Sequence, residues 1–135
     1  MSRAAALRFA ECLDREDYTA AETSLAEACV YAIGGRTIRG PAAIIAEYRE
    51  SGEWGRRVLD RVDCSSRLIE CEDETVLVEF RDDIHHQGRR HTYACRQRLW
   101  IDRNGLIIRI EHQDDAEASA RLAAFFASVG IERLR

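Results

Sequence analysis

Residues 75–114 read TVLVEFRDDIHHQGRRHTYACRQRLWIDRNGLIIRIEHQD, three alternating strand patterns joined by two short turns. The even positions of the first pattern are Val76, Val78, Phe80, Asp82, Ile84 and His86, and the odd ones are Leu77, Glu79, Arg81, Asp83 and His85. A period of two marks a half-buried strand, here with its even face inside. Gln87-Gly88 then supplies the positive φ of a tight hairpin turn. With a two-residue loop there, Ile84 stands opposite His91, Asp82 opposite Tyr93, Phe80 opposite Cys95 and Val78 opposite Gln97. The second strand agrees independently, because its apolar residues Tyr93, Cys95, Leu99 and Ile101 fall on the same face. Asn104-Gly105 is the strongest short hairpin signal in the chain. A two-residue loop at that point sets Leu99 against Ile110, Gln97 against His112 and Cys95 against Asp114, and a four-residue loop would slide each pair by two without changing faces.

The inner face of this meander therefore carries aliphatic residues at one end and Asp82, Tyr93, Gln97, His112, Asp114 and His91 at the other. Each polar group left unpaired in a core costs about 1–3 kcal/mol. They should pair with one another, bind water or line a cavity.

The chain outside the meander is consistent with one domain spanning 1–135, long enough to bury a core. Ala4 to Leu13 reads as a helix, and Asp17 as the N-cap of a second that runs to Leu25. Ala28 to Ile33 and Arg36 to Arg39 read as a short hairpin about Gly34-Gly35. Gly40-Pro41 opens a third helix whose buried face is Ile44, Ile45 and Tyr48. Gly52 and Gly55 read as its end, which places Trp54 on a loop. A long strand from about Arg57 to Glu70 turns Val58, Val62, Cys64 and Leu68 inward, and a last helix, Ala116 to Val129, stops at Gly130.

Composition excludes several classes of function. Charged residues make up 33% of the chain and the net charge is −4, with arginines interleaved among acids, which argues against nucleic-acid binding. No apolar run approaches the roughly 20 residues of a membrane span, and Met1-Ser2-Arg3-Ala4 lacks a secretory core, so a cytoplasmic location is expected. Five cysteines, Cys12, Cys29, Cys64, Cys71 and Cys95, form an odd set without C-x-x-C spacing. They read as reduced thiols, with Cys29, Cys64 and Cys95 as small core residues. His85, His86 and His91 are a weak metal signal, since adjacent strand residues point to opposite faces, and no metal is expected. No cofactor is expected.

The element order, together with Val30-Tyr31, the run Gly34-Gly35-Arg36-Thr37-Ile38-Arg39-Gly40-Pro41-Ala42-Ala43-Ile44 and the ending from Gly105 to Asp114, resembles the nuclear transport factor 2-like (NTF2-like) superfamily. Within it the resemblance is to the SnoaL-like polyketide cyclase and limonene epoxide hydrolase branch. It implies an α+β cone: N-terminal helices packed over a curved, mainly antiparallel sheet, with a C-terminal helix. The epoxide hydrolase pattern keeps Tyr31 and Asp82 here. Phe80 stands in place of its Arg, Ile33 in place of its Asn and His112 in place of its second Asp, which argues against epoxide hydrolysis by that arrangement.

What the resemblance leaves is an acid/base isomerase, cyclase or hydrolase for a small apolar carbonyl compound. Asp82 and His112 are its candidate catalytic residues, and Tyr31, Trp54, Tyr93, Gln97 and Asp114 its candidate binding residues. The alternative is a non-catalytic ligand-binding or dimerisation module. On that reading His112 is a hydrogen-bonded core histidine and Tyr31, Tyr93 and Trp54 are wall. Asp114, with Glu117 three residues on, is then an N-cap. A homodimer is expected through the outer sheet face, where Trp100 lies opposite Arg109 with Leu77 and Ile107 nearby.

Overall fold

A computed structural model describes residues 2–132. In chain order the elements are α1 (Ser2–Asp14), α2 (Tyr18–Thr23), β1 (Leu25–Ile33), β2 (Arg36–Arg39), α3 (Pro41–Val58), β3 (Arg61–Cys71), β4 (Thr75–His86), β5 (Arg89–Ile101), β6 (Ile107–Gln113) and α4 (Ala116–Ser128). The strands form one sheet in the order β2-β1-β6-β5-β4-β3, antiparallel except where β1 runs parallel to β6. This is the α+β cone expected, with helices laid over one face of a mixed, curved sheet.

The β4–β5 hairpin keeps every expected pair, from His86 opposite Arg89 to Val78 opposite Gln97. Gln87 and Gly88 both take positive φ, 51° and 75°, the mirror-image turn whose twist matches that of the strands. The β5–β6 hairpin reaches its Leu99–Ile110 and Gln97–His112 pairs by another route, while the expected Cys95–Asp114 pair lies beyond the last pair, Arg96 with Gln113. Its loop has three residues, closed by Asp102 N–H donating to the Leu106 carbonyl, and the Asp102 carboxylate accepts from the N–H groups of Asn104 and Leu106. Ile101 therefore pairs with Ile107, and a bulge at Ile108 follows, after which Trp100 pairs with Arg109, Leu99 with Ile110 and Gln97 with His112. The bulge keeps both Ile107 and Ile110 fully buried and leaves Ile108 43% exposed. Ile107 is thus a core residue and no part of the outer face. Leu77 is on that outer face but is itself covered by the chain, at 3% exposure.

Three other expectations are corrected. Helix α3 runs through Gly52 and Gly55 to Val58, so Trp54 is helical. Gly52 lies where α2 packs against α3, and a Cβ there would have to displace the Tyr18 hydroxyl, the far end of that side chain. Strand β3 starts only at Arg61, and Cys64, expected in the core, is exposed on this edge strand. The cap of α4 is Asp115, whose carboxylate accepts from Ala118 N–H at 3.0 Å, and not Asp114.

The apolar interior falls into two clusters with no common member. The larger, around Phe9, Ile44, Ile45, Val76, Val78, Leu99 and Ile110, fills the closed end of the cone under α1 and α3. The smaller joins Phe125, Phe126 and Val129 of α4 to Leu59 and Ile84, with Trp54 against Phe126 at 5.5 Å and His91 stacked on Phe125 at 5.1 Å.

Candidate functional site

Strand pairing arranges the concave face in rungs. Val62, Ile84 and His91 form the rung under α4. Next come Cys64–Asp82–Tyr93 and Ser66–Phe80–Cys95, then Leu68–Val78–Gln97–His112. The last, Val76–Leu99–Ile110–Tyr31, lies at the closed end. Of the polar residues anticipated from sequence, Asp82, Tyr93, Gln97 and His112 are on this face but separate into two groups, His91 stacks on Phe125, and Asp114 lies exposed past the end of β6.

The first group is a closed network. Tyr48 of α3 stacks on Tyr31 of β1, with centroids 5.2 Å apart and planes 6° from parallel. Its hydroxyl donates to Gln97 Oε1 at 2.6 Å, while Gln97 Nε2 donates to the Tyr31 hydroxyl at 2.7 Å and lies 3.3 Å from His112 Nδ1. Gln97 is only 4% exposed and has both ends of its amide engaged. Because the amide nitrogen can only donate, His112 Nδ1 must accept, which places the imidazole proton on Nε2 and keeps the ring neutral. Burial pushes the Tyr31 and Tyr48 hydroxyls well above the ordinary tyrosine range, so both stay protonated donors. Burial also lowers the pKa of His112, against an opposing pull from the Asp114 carboxylate.

A group whose folded-state pKa is depressed below its unfolded value of about 6.5 binds its proton more readily in the unfolded chain. The stability it supports is therefore complete above that pH and is lost as pH falls below it. Urea midpoints measured at pH 7.5 and pH 5 should show this loss, and His112→Gln should flatten it. An unchanged slope in the variant would mean that His112 is not held neutral.

The second group surrounds Asp82, which is half-buried between the two apolar clusters. Cys64, its neighbour on β3, makes a side-chain hydrogen bond to Asp82, and its thiol pKa is raised by burial and by the carboxylates of Asp82 and Asp14. On the other side, burial pushes the Tyr93 hydroxyl up to about 12, and Tyr93 bonds to Ser119 in the first turn of α4. The Cys95 thiol is likewise raised to about 12 by burial and by Asp82. Asp14, the last residue of α1, reaches this group from above: Ser66 Oγ donates to its Oδ2 at 2.6 Å. Burial raises the Asp14 pKa, Glu11 adds to the effect, and the Ser66 bond and Arg15 oppose it.

Two hollows adjoin the groups. A groove of about 720 Å³ lies where β5 runs on beyond the end of β6, lined by Tyr93, Cys95, Arg96, Asp114, Asp115 and Arg121 among others. A smaller one of about 290 Å³ lies between the Gly34–Thr37 turn and His112 with Asp114. Asp82 and Gln97 line neither. The single cavity expected for Asp82, Tyr93, Gln97 and His112 is thus divided. Tyr93 lines the larger hollow, His112 the smaller and the exposed Asp114 both. Trp54 packs in the α4 cluster. Among the described residues no group of His, Cys, Asp and Glu is placed to hold a metal ion, and no helix is long and apolar enough to cross a membrane.

No family model matches the chain, and no curated protein does either. Solved structures match over nearly its whole length. An NTF2-like protein of unknown function from Cytophaga hutchinsonii superposes with a TM-score of 0.62 at 15% identity, covering 89% of this chain and 95% of that one. The fold is NTF2-like. Two further structures carry the same NTF2-like cone. A LEH-like epoxide hydrolase of M. tuberculosis has a TM-score of 0.64 at 20% identity, with 98% and 95% of the two chains covered. A protein named as a polyketide cyclase from Xanthomonas campestris has a TM-score of 0.68 at 17% identity, with 95% and 96% covered.

Within this NTF2-like cone, Tyr48, Asp14 and Ser66 are the site residues that sequence reasoning missed. Tyr48 was legible only as part of an apolar helix face. Asp14 carried a signal that went unused: an acid as the last residue of a helix sits at the negative end of the helix dipole, a local conflict that calls for a reason.

Proposed function

We propose that this chain is a small-molecule protein of the SnoaL-like type, in which Asp82 moves a proton on a small apolar carbonyl compound in an isomerase, cyclase or hydrolase reaction. The observation that carries the reading is the Asp82 rung. A carboxylate on the concave face, set among thiols and a tyrosine hydroxyl that stay protonated, lies between two apolar clusters beside an exposed strand edge. Such a group can act as a general base next to a carbonyl. The likeness to an epoxide hydrolase and a polyketide cyclase agrees with it. The test is α-hydrogen exchange: a panel of aromatic and alicyclic ketones is incubated with the protein in D2O and followed by NMR, with Asp82→Asn as control. Deuteration that depends on Asp82 is the expected result. Equal rates with and without the carboxylate across the panel would rule the reading out.

A second reading, a non-catalytic ligand-binding or dimerisation module, is favoured by the closed end of the cone, which Tyr31, Tyr48 and Gln97 fill. Under it, ketones bind unchanged. Either reading is compatible with pairing of two copies through the outer sheet face, where Arg109 lies over the half-buried Trp100 at 5.7 Å and Ile108 is exposed. Much of the remaining charge on that face is paired within the chain, Glu79 with Arg67 and Arg96 for example. Sedimentation equilibrium at micromolar concentration should give a dimer that Trp100→Glu with Ile108→Glu converts to monomer. A monomeric parent chain, or a dimer that survives both changes, would remove this face from consideration.

A further inference from the structure

The Asp82 rung has a neighbour that the reading above does not use. Ser66 stands directly opposite Phe80, so Asp82 is its diagonal partner across β3 and β4, a separation of about 7–8 Å between backbones. The Asp14 carboxyl is held on Ser66, and the Cys64 thiol feels both Asp82 and Asp14. Two half-buried carboxyls thus stand near one another on the concave face from different elements, α1 and β4, beside Cys64 of the β3 edge strand. Their surroundings differ. Asp82 sits within the sheet face, whereas Asp14 ends a helix, where the backbone dipole disfavours a negative charge. The other charged groups about Asp14 are Glu11 on its own helix and, in the turn beyond it, Arg15 and Glu16, the latter paired with Arg56 of α3.

We propose that Asp14 is the proton donor to the substrate's carbonyl oxygen while Asp82 takes the proton from the adjacent carbon. The assignment rests on the function proposed above. In the forward half, the C–H electron pair becomes the new C=C bond and the carbonyl π pair moves to oxygen, which receives the Asp14 proton. The products are an enol, a neutral Asp82 and an ionised Asp14. In the return half, Asp82 gives a proton to carbon and Asp14 recovers one from the enol oxygen. Both groups are restored and no co-reactant is consumed. The substrate class is therefore narrowed to enolisable ketones with an oxygen free to accept a proton, as opposed to compounds activated only by removal of a proton.

The experiment is the ketone α-deuteration assay as a function of pH, on the parent chain, Asp14→Asn and Ser66→Ala. A needed acid makes the rate fall as pH rises through its pKa. Loss of the donor should lower kcat about a hundredfold, the low end for general acid catalysis, with KM little changed. Ser66→Ala removes a hydrogen bond that favours the ionised carboxyl, so the alkaline limb should move to higher pH, a displacement that a merely structural role for Asp14 would not produce. An Asp14→Asn rate within twofold of the parent, or an alkaline limb that stays in place in Ser66→Ala, overturns the donor assignment alone. No deuteration by the parent chain would instead overturn the function on which it rests.

Discussion

Replacing Gln97 with leucine is expected to destabilise the protein by about 2–4 kcal/mol, which at this chain length lowers Tm by on the order of 10 °C. The side chain is of similar size, so little cavity is created. What is lost is the acceptor for the Tyr48 hydroxyl and the donor to Tyr31 and His112, all in the closed end of the cone. The two tyrosines recover part of this by bonding to each other, but His112 Nδ1 then faces an apolar side chain. Low dielectric strengthens a complete network and penalises a partial one. Urea unfolding with a direct measure of m-value checks it, and a change below about 0.5 kcal/mol would show that the network contributes specificity without stability.

Asp82→Asn is expected to have the largest effect on activity, about 10²–10⁴-fold in kcat for loss of a general base, with the fold retained because the amide keeps the shape of the carboxyl. A second measurement asks whether the charge is present where the mechanism needs it. The Asp82 carboxylate helps to hold the Cys64 thiol above its ordinary range, so its removal should lower that pKa and speed alkylation of Cys64 at mildly alkaline pH. Peptide mapping separates Cys64 from Cys71, the other exposed cysteine. Faster alkylation together with an unchanged kcat would leave Asp82 a structural charge.

The meander and its inner face were legible because two independent signals agreed: the alternation of Val76 to His86 and the turn residues Gln87-Gly88. The polar set it exposed is divided in the structure: Gln97 and His112 join one network with Tyr31 and Tyr48, Asp82 and Tyr93 stand apart from it, and Asp114 lies past the end of β6. Which of Asp82, Gln97 and His112 would be sealed depended on Tyr48, a residue from a helix 49 positions away in sequence from its partner Gln97. No local pattern carries that information. Asn104-Gly105 misled in a different way, since it favours a two-residue loop, while the Asp102 carboxylate braces a three-residue one. Gly52 and Gly55 looked like helix stops because a glycine inside a helix, one beside the Tyr18 hydroxyl and one in ordinary contact with Val62, has the same one-letter signature as one required for a turn.

The bulge at Ile108 shows how the fold stores position. A straight strand would offer its core every second residue, yet Ile107 and Ile110, three apart, are both fully buried. The seven residues of β6 therefore run in two phases, one set by the turn before Ile108 and one set by the network after it. Without the change of phase, Arg109 would point at the core and His112 away from Gln97. The identity of residue 108 matters little to this, because its side chain touches neither cluster, but the count of residues through it matters a great deal. The chain's alignment between turn and network is thus carried by backbone arithmetic, tolerant of substitution at Ile108 and intolerant of any insertion beside it.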